Sequence, residues 1–198
     1  MVVSADPSSQ FEAAHNARPE TPSALPEFLQ RIAQIDGAFI VYDDGWRGWT
    51  YRYGDVAQMA GALAAKFRSS GLEKGDHVLI WSESRAGWIA ALWACLLEGV
   101  ILVPVELQAS LALLRRIMQQ VQPRLVLLGD LVSGIEDTSL APVIFLRDVE
   151  VDRTPAPGNR PTLYQDDVAE IIGTSGTTAE SKGVIMTRRS RAASLPPL

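Results

Sequence analysis

Residues 77–103 run His77-Val78-Leu79-Ile80-Trp81-Ser82, then Arg85 to Leu97, then Val100-Ile101-Leu102-Val103. The first and last runs are short and apolar, as strands covered on both faces are. Between them Trp88, Ile89, Leu92, Trp93 and Leu96 recur at helical spacing. Strand, helix, strand at this distance is a parallel crossover. The pattern continues outward. Ser110 is placed to cap a helix through Val121, with Leu113, Leu114, Ile117 and Met118 apolar, and Leu125–Leu128 and Val143–Leu146 read as further strands. The expected fold class is therefore α/β, a mostly parallel sheet covered by helices.

A competing reading takes Ala86 to Val105 as one membrane span, since its single charge is Glu98 and its length fits a bilayer. Three features oppose it. A carboxylate in mid-span costs about 2.5–3.5 kcal/mol on the gentlest insertion scale. Gly99 follows Glu98, as a helix end prefers. The far half is β-branched, with Pro104 placed to close the strand.

Upstream, Met1 to Ala24 is rich in Ser, Ala and Pro and reads as a disordered arm. Pro26 sits at a helix start, with Phe28, Leu29, Ile32 and Ile35 at helical spacing. Phe39–Tyr42 and Trp49–Tyr51 flank Asp43-Asp44-Gly45 and predict a hairpin. Val56, Met59, Ala60, Leu63, Ala64 and Phe67 share one face of a helix that Gly71 stops. Arg153 to Pro161, with three prolines, reads as a linker or surface loop.

The whole chain has 198 residues, 47% hydrophobic and 21% charged, which suits one globular core and excludes collagen, coiled coil and wholesale disorder. A net charge of −5 gives no basic footprint for nucleic acid. One cysteine, Cys95, cannot make an internal disulfide, and with two histidines it is too little for a structural zinc site. No basic start precedes an apolar run, so no signal peptide is read and the expected location is cytoplasmic. Cys95 reads as a core thiol and His77 as structural; Glu83 and Glu98 read as capping or surface groups, Arg115 and Arg116 as a solvated helix face.

Chemistry concentrates after Ala169-Glu170-Ile171-Ile172, a strand. Gly173-Thr174-Ser175-Gly176-Thr177-Thr178-Ala179-Glu180-Ser181-Lys182-Gly183 follows, and then Val184-Ile185-Met186, a second strand. Glycines let backbone N–H groups approach an anion. The hydroxyls of Thr174, Ser175, Thr177 and Thr178 can donate to phosphate oxygens, and Lys182 supplies a point charge. The Walker spacing fails, because Ser181 and Gly183 stand where Gly and Ser or Thr are needed around the lysine. On composition alone a bland Ser/Thr/Gly surface hairpin fits somewhat better than a phosphate loop.

The segment from Thr174 to Thr178, followed by Lys182-Gly183-Val184, resembles the phosphate-loop signature of the adenylate-forming, AMP-dependent synthetase and ligase superfamily. Ala179 and Ser181 depart from its commonest Gly and Pro, and Ala179-Glu180 resembles a variant associated with long-chain fatty acid ligases. Trp49-Thr50-Tyr51, Lys74-Gly75-Asp76, Glu83-Ser84-Arg85, Glu98-Gly99-Val100 and Val103-Pro104-Val105 continue the likeness in order. It covers about Leu25 to Met186.

The resemblance implies an incomplete N-terminal AMP-binding domain over 25–187, followed by a disordered, non-family tail over 188–198. It implies ATP with Mg2+ held by Thr174, Ser175, Gly176, Thr177, Thr178 and Lys182, a carboxylic acid as substrate, and coenzyme A as thiol. The implied activity of the full-length family is that of an acid–CoA ligase in fatty acid metabolism. The family's adenine, magnesium and acyl motifs and its catalytic lysine lie downstream of this loop. The expectation is therefore an N-terminal fragment, inactive alone, that exposes strand edges and aggregates or binds chaperones. No catalytic and no metal-ligating residue is assigned within it. The rival readings are a non-enzymatic, inactive fragment and a small stand-alone nucleotide-binding protein; pyrophosphate exchange and equilibrium ATP binding separate them.

Overall fold

The structure is a computed structural model that describes residues 21–43, 45–132, 141–151, 159–173 and 183–195. In chain order the elements are α1 (Leu25–Ile32), β1 (Ala38–Asp43), β2 (Gly48–Arg52), α2 (Tyr53–Ser69), β3 (His77–Trp81), α3 (Ala86–Glu98), β4 (Ile101–Val105), α4 (Leu111–Val121), β5 (Leu125–Leu128), β6 (Val143–Phe145), α5 (Leu146–Val151), β7 (Val168–Gly173), β8 (Gly183–Thr187) and α6 (Arg188–Ala193). Six strands form one sheet in the order β6-β5-β3-β4-β7-β8. All neighbours run parallel except β7 and β8, which are antiparallel. β1 and β2 form the separate hairpin expected from sequence.

Alternation along the strands divides the core between two faces. Val78, Ile80, Leu102, Leu125 and Leu127 pack with α1, α2, α3 and α5; Leu79, Trp81, Val105, Val126 and Leu128 pack with Leu114 and Met118 of α4. The two crossovers thus cover opposite faces. α3 is apolar nearly all round because α2 covers its outer side. Gly99 ends it at φ +70°, where a Cβ would also lie 2.5 Å from Leu163. Ser110 caps α4 as read, its hydroxyl accepting from Leu113 N–H at 3.2 Å.

Several expectations are corrected. Pro104 does not close β4. It lies inside the strand, opposite Ile80 of β3, where the ladder loses one N–H donor. Glu83 and Glu98 are buried, not surface groups; Glu98 is ion-paired with Arg68. Burial pushes the Glu98 carboxyl upward, against the pull of Arg68 and Arg160. Leu146 begins α5 rather than ending β6 and is buried.

The arm and the tail also differ from their reading. Residues 1–20 lie outside the described residues, but Thr21 O accepts Gln165 N–H at 2.8 Å and Ser23 N–H donates to Leu163 O at 2.8 Å. After β8 the chain forms α6 instead of a disordered tail; residues 196–198 lie outside the described residues. The segment has no apolar period because polar groups hold it. Thr187 Oγ1 accepts Ser190 N–H at 3.2 Å. Arg188 is 1% exposed and donates to Leu96 O at 2.6 Å and Ser23 Oγ at 3.1 Å.

Arg188 therefore ties the carboxyl end of α3 to the start of the described chain. Burial pulls its pKa down to about 10, with Asp167 opposing. Arg188→Ala is expected to cost about 2–3 kcal/mol: a cavity and an orphaned Leu96 carbonyl, partly offset by relief of a buried charge. Arg188→Met orphans the same carbonyl but fills the slot and removes the buried charge, so it is expected to lose clearly less, about 1 kcal/mol. Urea melting decides it; equal losses for both variants would show that charge, not packing, holds α6.

Candidate functional site

Ligands of open α/β sheets bind beyond the carboxyl ends of the parallel strands, where successive crossovers leave to opposite faces. Here that point lies between β3 and β4. Trp81 fills it: its indole N–H donates to Glu106 O at 3.0 Å and Leu107 O at 3.3 Å. The carboxyl edge is further closed on the β5 side. Glu83 accepts the N–H groups of Asp130 and Leu131 at 3.2 and 3.3 Å and the Arg85 guanidinium at 3.2 Å. Burial pushes the Glu83 carboxyl up, but these donors together outweigh it and hold the group below its ordinary value. Asp130 in turn bridges Arg85 and Arg147, both at 2.8 Å.

β7 also ends on this edge. It runs parallel to β4, with Leu102 opposite Glu170, so Gly173 ends it at the same edge at which Glu106 follows β4. β8 returns antiparallel, with Gly173 opposite Gly183. The nine residues 174–182 connect these two glycines. Thr174, Ser175, Gly176, Thr177, Thr178 and Lys182 therefore all fall outside the described residues, while the strands that carry them are fixed. A cleft of about 240 Å³ opens beside this stem, between Ile117 and Val121 of α4 and Val103 and Ile171 of the sheet, with Gly173 and Gly183 in its wall.

The approach to β7 is anchored from the Lys74-Gly75-Asp76 turn. Lys74 Nζ pairs with Asp167 at 2.8 Å, donates to Thr162 O at 3.1 Å and lies 4.8 Å from the Tyr164 ring centre. Sequence reading found the turn but not this role, because its partners lie about ninety residues away. Cys95 is buried as expected, and burial pushes its thiol upward, which leaves it inert. His77 is half-buried; desolvation pulls it down, with Asp76 opposing. Arg115 and Arg116 are exposed.

Comparison with known proteins accords with this architecture. The profile of the AMP-binding enzyme family matches residues 23–196. The chain belongs to that family, and the match runs through α6, which corrects the non-family tail. A D-alanine–D-alanyl carrier protein ligase of Streptococcus agalactiae is 27% identical over 157 residues, covering 79% of this chain and 30% of that protein. A methyl-dioxo-octahydro-indenyl-propanoyl:CoA ligase of Rhodococcus jostii is 27% identical over 200 residues, covering 86% of this chain and 38% of that protein. The N-terminal subdomain of NpsA of Klebsiella oxytoca, solved in complex with anthranilyl-AMSN, superposes with a TM-score of 0.69 at 26% identity, covering 85% of this chain and 42% of that one.

The chain thus spans well under half the length of these relatives. No helix among the described residues is long and apolar enough to cross a membrane.

Proposed function

We propose that this chain carries the triphosphate-binding segment of an ATP-dependent ligase that activates a carboxylic acid and passes it to coenzyme A. The observation that carries the reading is a stretch of sequence, 174–182, that bears hydroxyls, a glycine and a lysine and links β7 to β8, whose ends Gly173 and Gly183 face each other. The CoA ligase relative and the Ala179-Glu180 variant favour coenzyme A as acceptor. The carrier protein ligase relative supports a second reading, in which a carrier-protein thiol takes the acyl group.

In this proposal Thr174, Ser175, Thr177, Thr178 and Lys182 hold the β- and γ-phosphates of ATP, with Mg2+ arriving on the nucleotide. The facing of Gly173 and Gly183 suits the task, because a backbone without Cβ atoms lets phosphate approach closely. The substrate carboxylate attacks the α-phosphorus, the bond to the β-phosphate oxygen breaks, and pyrophosphate leaves with the electron pair. A thiol then displaces AMP from the acyl-adenylate. The chain's own contribution is to neutralise the leaving pyrophosphate, an electrostatic role.

Two measurements test this. Equilibrium dialysis of the 198-residue chain against MgATP should show retention that falls roughly tenfold or more in Lys182→Ala/Thr177→Ala, as loss of charge-assisted bonds implies. Retention indifferent to both substitutions would sink the reading. ATP–pyrophosphate exchange by the chain alone should not exceed that of the same double variant, since the related ligases are about three times longer than the part matched. Exchange clearly above the control would show that these residues suffice for adenylation.

A further inference from the structure

The strands flanking residues 174–182 are joined by more than their own ladder. From β8 the chain passes directly into α6, whose arginines reach back to the β7 side. Arg188 N–H donates to Asp167 O at 2.9 Å and Arg189 N–H to Gln165 O at 2.7 Å. The Arg189 guanidinium grips Asp166 through two bonds of 2.9 and 3.0 Å. One turn on, Arg191 Nη2 meets Glu170 Oε2. Glu170 is 1% exposed and stands in the middle of β7, opposite Leu102 on one side and Met186 on the other. Among the described residues its second oxygen and Arg191 Nε have no hydrogen-bond partner.

A carboxylate at a central sheet position is costly unless paired, and an apolar pair there is often no less stable. The pair therefore needs a reason beyond stability, and the hairpin supplies one. Register is ordinarily set by the difference between a buried and a solvated face. In β8 that difference is missing: the neighbours Val184 and Ile185 point to opposite faces, yet are 46% and 47% exposed. The β7–β8 ladder is also irregular between Val168 and Glu170. A slip of β8 by one residue would alter little apolar burial, but would carry α6 about 3.3 Å along the strand, break the Arg188 and Arg189 bonds at its start and strip Glu170, the partner that lies within β7 itself, of its cation.

We infer that Glu170 and Arg191 are positioning residues whose ion pair fixes the register of β8 on β7, and so the facing of Gly173 and Gly183. Its functional half rests on the proposed function, because only there do the residues between these glycines hold triphosphate; its structural half does not.

The test compares Arg191→Met, Arg191→Lys and the double variant Glu170→Met/Arg191→Met with the parent chain. Amide exchange is followed at Val184–Met186 and, as reference, at Val78–Ile80, alongside urea melting and MgATP dialysis. Arg191→Met should speed exchange in β8 at least tenfold, with β3 unchanged, and weaken MgATP retention; Arg191→Lys should restore both in large part. The double variant is decisive if Arg191→Met fails to fold. It should melt near the parent, since no charge is left unpaired, yet keep the fast β8 exchange and weak MgATP retention. Parental exchange in the double variant overturns the inference, as does fast exchange with parental retention. Retention that ignores Lys182→Ala counts instead against the proposed function, and the exchange data then decide the register role alone.

Discussion

Gly129→Ala is expected to remove about 3–4 kcal/mol of stability, close to the largest loss a single methyl group can cause. An added Cβ would lie 2.1 Å from Glu83 Oε2 and 2.6 Å from Ser82 Cβ. Neither neighbour can yield cheaply. Ser82 continues from β3, whose end is paired to β5 as Trp81 to Leu128. Glu83 is held by two backbone N–H groups and Arg85, and moving it leaves a buried carboxylate without donors. Loss of these bonds adds to the overpacking. The double variant Glu83→Ala/Gly129→Ala should recover part of the loss, because the second change removes the atoms that the first one strikes; neighbouring sites couple in this way. Urea melting at neutral pH measures these two variants and Glu83→Ala alone. A Gly129→Ala protein within 1 kcal/mol of the parent, or strict additivity in the double variant, would mean that Glu83 is not the obstacle.

The elements legible in the sequence were those whose signal is local. Val78-Leu79-Ile80 and Leu125–Leu128 are strands because their apolar runs leave no other place for them than a sheet covered on both sides. Ser110 and Gly99 mark helix ends by their own chemistry. What was not legible depends on partners far along the chain. Glu98 finds Arg68 thirty residues away, and Glu83 finds the Asp130 and Leu131 amides 47 and 48 residues away. A carboxylate read alone belongs at the surface, so these buried anchors were missed. α6 was missed for the same reason: it turns Arg188 and Arg191 inward, and the Leu96 carbonyl, the Ser23 hydroxyl and the Glu170 carboxylate receive them. The stretch 174–182 stood out through its family resemblance, since hydroxyls, glycines and one lysine between two apolar strands suit a plain surface hairpin equally well. That β7 ends at the carboxyl edge beside β4 follows from the pairing of Leu102 with Glu170, which no local pattern announces.

In a ligase that carries this segment within its full length, Lys182→Ala is expected to lower kcat for adenylation by about 10²–10³, with the fold intact. The size follows from the role proposed. Charge builds on the β-phosphate oxygens as the bond to the α-phosphorus breaks, and a fixed cation there is worth more in the transition state than in bound ATP. Removing one such donor from a preorganised site typically costs about 2.7–4 kcal/mol of activation free energy. A lysine that serves phosphate rather than the core, as proposed, should cost no more than about 0.5 kcal/mol of stability on the same substitution. Kinetics and melting therefore separate. Thr177→Ala should follow with a smaller loss, since a hydroxyl gives the phosphate a hydrogen bond but no positive charge against the one that builds there. The measurement is single-turnover formation of pyrophosphate at saturating MgATP and carboxylic acid, which removes differences in binding. A Lys182→Ala enzyme that adenylates at the parental rate would leave the stretch as a polar hairpin, and the assignment of Thr174, Ser175, Gly176, Thr177, Thr178 and Lys182 to the triphosphate would fall with it.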